Sequence, residues 1–210
     1  MAWTLVVPLK PLIRAKSRLA DAATGTTRPG LALAFAQDTV RAALACPAVS
    51  GVVVVTDDEL AAQELAALGA RTVPDAPGGG LNAALVHGEA TVRAADPLAA
   101  VAALNADLPA LRPAELERVL NTAVRFPRAF LPDAAEIGTT LLSALPENPL
   151  LPAFGGPSRA RHRASGAAEI GISGVPSVRQ DVDTGDDLRA AGELGLGAFT
   201  SALLAGPVRG

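Results

Sequence analysis

The chain has 210 residues, half of them hydrophobic, and a formal net charge of −3. That length suits a single domain, residues 1–210, with its own core, and the slight acidity argues against a broad nucleic-acid surface. No apolar run approaches the ~20 residues of a membrane span, no signal peptide opens the chain, and one cysteine, Cys46, excludes an internal disulfide and fits a reducing, cytoplasmic setting.

Trp3 to Pro8 is a short apolar run that predicts a buried strand. Pro8 to Thr27 reads as a long loop carrying Lys10, Arg14, Lys16 and Arg18. Arginines outnumber lysines sixteen to two, and both lysines fall in this loop. Lysine is a compact point charge and arginine a planar fork, so these two positions are candidates for contact with an anion. Helical spacing runs from Leu31 to Ala45, with Pro29 near its start. Val52 to Val55 are four consecutive valines, the mark of a parallel strand buried on both faces. A helix over Glu59–Leu68, a strand over Arg71–Pro74 and a helix over Leu81–Ala94 follow, the last preceded by Gly78, Gly79 and Gly80. Leu98 to Asn105 is the next strand and Pro113 to Arg125 the next helix. After Phe130 the pattern weakens: Pro146, Pro149, Pro152 and Pro157 mark irregular walls or a lid, and helix returns from Asp183 to Leu204. Alternating strands and helices predict a doubly wound α/β fold with a mainly parallel sheet, whose ligands bind beyond the carboxyl ends of the strands.

The chemical residues gather after those strand ends. With two histidines, one cysteine and no tyrosine, the usual nucleophiles and bases are scarce. His87 is expected to be structural or exposed, Cys46 to pack in the core and His162 to lie at the surface. A reaction that needs little base help fits best, such as attack by a phosphate oxygen already anionic at neutral pH. Asp107 follows a strand, and Asp181 and Asp183, two apart, can face one side. Carboxylates beside phosphates are the usual protein contribution to Mg²⁺ binding. Asp107 and Asp183 are therefore the candidate metal pair, with Asp181 a helper; helix or turn capping is the competing role.

The segment Gly78-Gly79-Gly80-Leu81-Asn82 permits close backbone approach at a helix start. It is neither a Walker loop nor G-x-G-x-x-G. Gly138-Thr139-Thr140 offers hydroxyls beside a glycine, and Phe154-Gly155-Gly156-Pro157-Ser158 runs into Arg159, Arg161, His162 and Arg163. Hydroxyls, backbone N–H groups and guanidinium forks suit a small phosphorylated carboxylic acid. An exposed basic turn is the alternative.

Several of these motifs together resemble the phosphoenolpyruvate and 2-phospho-L-lactate guanylyltransferases of coenzyme F420 biosynthesis, relatives of the molybdenum-cofactor guanylyltransferases. The likeness rests on Val7-Pro8-Leu9-Lys10-Pro11, Ala15-Lys16-Ser17-Arg18-Leu19, Gly79-Gly80-Leu81-Asn82, Asn105-Ala106-Asp107-Leu108-Pro109, Gly138-Thr139-Thr140-Leu141, Phe154-Gly155, Ser158 and Asp181-Val182-Asp183-Thr184. It implies a Rossmann-like, three-layer nucleotide-diphospho-sugar-transferase fold, GTP as donor and Mg²⁺ held by Asp107 and Asp183. By the same resemblance Lys16 is catalytic; Lys10, Lys16, Arg18, Gly79, Gly80 and Asn82 bind the nucleotide; and Thr140, Gly155 and Ser158 bind the acceptor. The Arg-rich, Lys-poor composition favours the bacterial branch and so phosphoenolpyruvate. 2-Phospho-L-lactate or 3-phosphoglycerate as acceptor, or a non-catalytic nucleotide-binding module, are the rival readings. The product would be a reactive activated intermediate, which makes handover to the next pathway enzyme an expectation.

Overall fold

The computed structural model describes residues 1–14, 28–76 and 78–206. Short runs of small and β-branched residues build one sheet of seven strands: β1 (Trp3–Pro8), β2 (Val49–Val55), β3 (Arg71–Val73), β4 (Ala100–Leu104), β5 (Arg128–Pro132), β6 (Thr139–Ala144) and β7 (Ala168–Glu169). Their order across the sheet is β3-β2-β1-β4-β6-β5-β7. Successive side chains alternate between two cores. Leu5, Val7, Val52, Val54, Ala102 and Leu104 enter one, and Val6, Val53, Val55, Val101 and Ala103 enter the other. Burial on both faces is why these strands are apolar at nearly every position.

Helices cover both faces. α1 (Arg28–Leu44), α2 (Glu59–Ala67), α4 (Pro113–Ala123) and α6 (Pro176–Arg179) share the first core, through residues such as Val40, Leu65, Leu116 and Val178. α3 (Leu81–Ala95) covers the second with Ala84, Leu85 and Val92. Gly88 lets α3 lie flat on the sheet: a Cβ there would sit 2.4 Å from Val6 Cγ1 and 2.9 Å from Val55 Cγ2. The expected three-layer α/β architecture is thus realised. The predicted elements as far as α4 are all present, with ends moved by a few residues.

Beyond Phe130 the structure holds more order than the sequence pattern suggests. β5 and β6 form an antiparallel pair, and β6 is also antiparallel to β4, whereas β1 runs parallel to β2 and β4, and β2 to β3. β6 is buried at every position and carries no alternation to read. α5 (Ser158–Ala164) then leads to β7. The expected terminal helix is two helices, α7 (Gly185–Leu194) and α8 (Ala198–Ala205), separated by Gly195–Gly197. α8 is tied back to α1 by Asp38, whose carboxylate accepts from Phe199 N at 3.0 Å and Thr200 N at 2.8 Å, filling the space where a side chain at position 197 would go. Among the described residues no helix is long and apolar enough to cross a membrane. Cys46 is a buried core residue, and burial raises its thiol pKa.

Candidate active site

The reversed strand explains where the cleft lies. β1, β2 and β4 deliver their carboxyl ends to one edge of the sheet, and β6, running the other way, delivers its amino end there. A cleft of about 570 Å³ opens at that edge, lined by Pro8 to Lys10 after β1, Asn105 to Asp107 after β4, Asp133 after β5 and Gly138-Thr139 at the start of β6. Gly155, Gly156 and Ser158 before and at the start of α5, and Asp181 and Asp183 before α7, complete the wall.

The two aspartates far apart in sequence both line this cleft. Val182 N donates to Asp107 O at 3.0 Å, so the segment before α7 is stitched directly to the end of β4. Val182 is fully buried in a small core with Leu31, Phe35 and Leu188. Alternation then turns Asp181 and Asp183, on either side of it, towards the cleft. Asn105 Nδ2 lies 3.4 Å from Asp181 Oδ2, which ties Asp181 to the end of β4 as well. Capping does not account for Asp183: the N-cap of α7 is Thr184, which forms a reciprocal capping box with Asp187.

The cationic side is partly described. Lys10 is exposed and lines the cleft. Lys16 and Arg18 lie outside the described residues. Gly80 opens α3 at φ 87°, a left-handed conformation that favours glycine. Its neighbour Leu81 lines the cleft; Gly79, Gly80 and Asn82 do not. The Asn82 side chain instead grips the opposite wall, accepting from Phe154 N at 2.8 Å and donating to Phe154 O at 3.2 Å.

On that wall Gly155 and Ser158 line the cleft. Of the two threonines, Thr139 lines it, whereas Thr140 is fully buried and outside the lining. The cause is a register shift between β5 and β6: Leu131 faces Leu141, but Pro132 faces Thr139, leaving Thr140 as the extra residue. Such a bulge re-aims side chains. The Thr140 carbonyl takes the Asn105 N–H at 3.0 Å, and its hydroxyl has no hydrogen-bond partner among the described residues. Gly138 is required by Asp133, whose carboxylate accepts from Ile137 N and Gly138 N and would lie 2.4 Å from a Cβ at position 138.

Two expectations for the basic turn are corrected. The arginines do not line the cleft. Arg159 pairs with Glu169 at 2.7 Å and Glu136 at 3.2 Å, Arg163 pairs with Glu169, and Arg161 Nε donates to Ala153 O at 3.1 Å. They bind α5 to its surroundings. Arg179, which pairs with Glu136 at 3.2 Å, and then Arg159 hold the Glu136 carboxyl below the usual range, and Arg159 leads in doing so at Glu169. His162, expected at the surface, is fully buried between Phe130 and Phe154. Its Nε2 accepts from Ala153 N at 2.9 Å and its Nδ1 meets Thr139 Oγ1 at 3.0 Å. Burial, then the positive charges of Arg128 and Arg161, push its pKa down to about 4. With both nitrogens engaged, this ring is a brace and not a base.

Carboxylates, a lysine and glycine turns at the strand ends of a mainly parallel sheet suit the handling of nucleotide phosphates. A Desulfovibrio desulfuricans G20 structure assigned as a nucleotide-diphospho-sugar transferase superposes with a TM-score of 0.69 at 19% identity, covering 98% of this chain and 95% of that one. A Mycobacterium tuberculosis H37Rv protein solved in complex with manganese has a TM-score of 0.53 at 21% identity, covering 92% and 100%. The fold is that of the nucleotide-diphospho-sugar transferases, and the chain is a nucleotidyltransferase. Residues 3–162 match the family described as guanylyl transferase CofC like. A Streptomyces coelicolor relative named phosphoenolpyruvate guanylyltransferase is 70% identical over 205 residues, 98% of this chain and 97% of its own length. The chain belongs to this guanylyltransferase family, the one its motifs resemble.

Proposed function

We propose that the cleft transfers the guanylyl group of GTP to phosphoenolpyruvate, releasing pyrophosphate, as a step towards coenzyme F420. The observation that carries this is the Val182–Asp107 backbone bond, which draws Asp107, Asp181 and Asp183 to one wall of the cleft. The acceptor comes from the name of the Streptomyces coelicolor relative, supported by the high identity.

Asp107 and Asp183 would hold Mg²⁺. The donor set fits, because Mg²⁺ takes one or two carboxylates and completes its shell with water and substrate phosphates. Among the described residues no group of three or more His, Cys, Asp or Glu is placed to hold a metal ion, so the rest of the shell would fall to water and substrate phosphates. When bound, the ion supplies positive charge between two sets of phosphate oxygens that otherwise repel. The remaining work falls to the chain. Lys10, with Lys16 and Arg18 from the same loop, adds cationic charge for the triphosphate. A lone ion pair at about 4 Å is worth about 1 kcal/mol in water and about 4 at an effective dielectric of 20, so several cations are needed. Gly79, Gly80 and Asn82 set the position of Leu81 on the nucleotide side, and Gly155 and Ser158 receive the acceptor. The acceptor's phosphate oxygen is already anionic, so no side chain has to remove a proton before it attacks the α-phosphorus in line. The product is an activated mixed diphosphate, and its reactivity favours handover to the next enzyme.

Mass spectrometry of reactions holding GTP and Mg²⁺ with phosphoenolpyruvate, 2-phospho-L-lactate or 3-phosphoglycerate tests this. Pyrophosphate and a guanylylated adduct should form fastest with phosphoenolpyruvate. An adduct formed only with another acceptor would overturn the assignment of the acceptor, and none with any would overturn the reading.

A further inference from the structure

The polar groups of Ala153 and Phe154, the two residues before Gly155, are all held by side chains from two helices. α5 supplies His162 to Ala153 N and Arg161 to Ala153 O, and α3 supplies Asn82 to both polar groups of Phe154. This bracing has a consequence for protons. A backbone N–H can only donate, so the Ala153 bond leaves His162 Nε2 as a lone-pair acceptor. The hydrogen of the neutral ring then sits on Nδ1. Thr139 Oγ1, 3.0 Å away, must accept it. The threonine's own hydrogen is left to be given elsewhere, and Thr139 lines the cleft on the same wall as Gly155 and Ser158.

We propose that His162 and Thr139 form an acceptor-orienting pair: His162 Nδ1–H fixes the Thr139 hydroxyl so that its O–H donates to an anionic carboxylate or phosphate oxygen of the acceptor. Thr139 is the residue that touches substrate, and His162 is a positioning residue. The inference rests on the proposed function for the location of the acceptor. The arrangement selects for acceptors that present a bare oxygen at this point, because a group offering only a donor would meet the threonine's hydrogen. Phe130 and Phe154 pack against the imidazole with ring centroids at 5.8 and 5.0 Å, and its two hydrogen bonds fix which nitrogen faces Thr139. The low pKa of the ring agrees, since a second proton would displace the Ala153 bond.

The test is a double-mutant cycle on full-length enzyme. Thr139→Val removes the hydroxyl and keeps the shape, and Thr139→Ser keeps the hydroxyl. His162→Gln reaches towards Ala153 but loses the Nδ1 donor, whereas His162→Asn keeps a donor near Nδ1. Loss of a hydrogen bond to a charged group predicts a rise in acceptor KM of about 10- to 100-fold for Thr139→Val, with GTP KM within about twofold. Thr139→Ser should restore acceptor KM. His162→Gln should raise it more than His162→Asn, and adding His162→Gln to Thr139→Val should do nothing more. An unchanged acceptor KM in Thr139→Val, equal rises for both substrates, or effects that multiply in the double variant would overturn the pair. If His162→Gln does not fold, the Thr139 pair and His162→Asn still decide. Calorimetric binding of phosphoenolpyruvate and the other two phosphoacids, which needs no turnover, separates the readings. A wild type that binds a phosphoacid through Thr139 but forms no adduct keeps the pair and sinks the function; a wild type that binds none sinks both.

Discussion

The buried imidazole makes folding stability depend on acidity in a way that can be isolated. In the folded chain His162 stays neutral down to about 4, against an ordinary value of 6.5, because its ring is removed from water and lies near the Arg128 and Arg161 guanidinium groups. In the unfolded chain the ring is solvated and takes up its proton near 6.5. Between these limits the unfolded state binds more protons than the native state, so stability falls as pH falls. The contribution is complete above about pH 7, is lost progressively from about 6.5 to 4, and levels off below the folded value. A depression of about 2.5 units corresponds to about 3 kcal/mol, of which about 2 is lost by pH 5. That is a sizeable share of the ~5–15 kcal/mol that holds a domain together. Urea unfolding at pH 7, 6, 5 and 4.5, run on wild type and His162→Gln, isolates the effect, because the two proteins differ only in this side chain. The stability gap between the two proteins should narrow by about 2 kcal/mol from pH 7 to pH 5. A gap that stays constant over that range would show that the ring is protonated in the native state or exposed to solvent, and the tautomer argument would fall with it.

Two further outcomes follow from the same structure. Asp107→Asn and Asp183→Asn should each lower kcat by at least about a hundredfold at unchanged Tm if they form the metal pair. Near-normal turnover in both, across a Mg²⁺ titration, would remove them from that role. Gly88→Ala should lower stability by about 1–2 kcal/mol, since the clash of the added Cβ with Val6 and Val55 outweighs the ~1 kcal/mol gained by replacing a helical glycine. Scanning calorimetry reads this as a Tm several degrees lower; an unchanged or raised Tm would mean that α3 moves off the sheet at little cost.

Local pattern carried much of the architecture and part of the site. The valine run of β2 and the apolar β4 announce strands buried on both faces, and helical spacing announces α1 to α4, because each of these signals is written within a dozen residues. Asp107 and Asp183 were legible as candidates for the same reason: one closes a strand and the other belongs to an alternating pair before a helix. What could not be read locally depends on partners remote in sequence. His162 looks like an exposed member of a basic turn until Phe130 and Phe154 close over it. The choice between Thr139 and Thr140 turns on one register shift against Pro132, which neither threonine encodes. Arg159 and Arg163 resemble an anion site when Glu136 and Glu169, more than twenty residues before Arg159 and ten after it, are left out of view. A count of nearby acids would have been the available warning.

The direction of β6 divides the labour of the cleft. One side of the cleft is built where strands β1 and β4 stop, and each of those stops is committed to a crossover helix that must pack on the sheet. Thr139 and Gly138 are reached through a tight turn between two antiparallel strands, held from within by the Asp133 carboxylate and from outside by Arg159 and Arg179. Turns of this kind accept insertions and new side chains without disturbing the layers on either side. Changing residues 134–137, between the fixed pair Asp133 and Gly138, is therefore the natural route by which one scaffold could alter this wall of the cleft while leaving the wall at the ends of β1 and β4 intact.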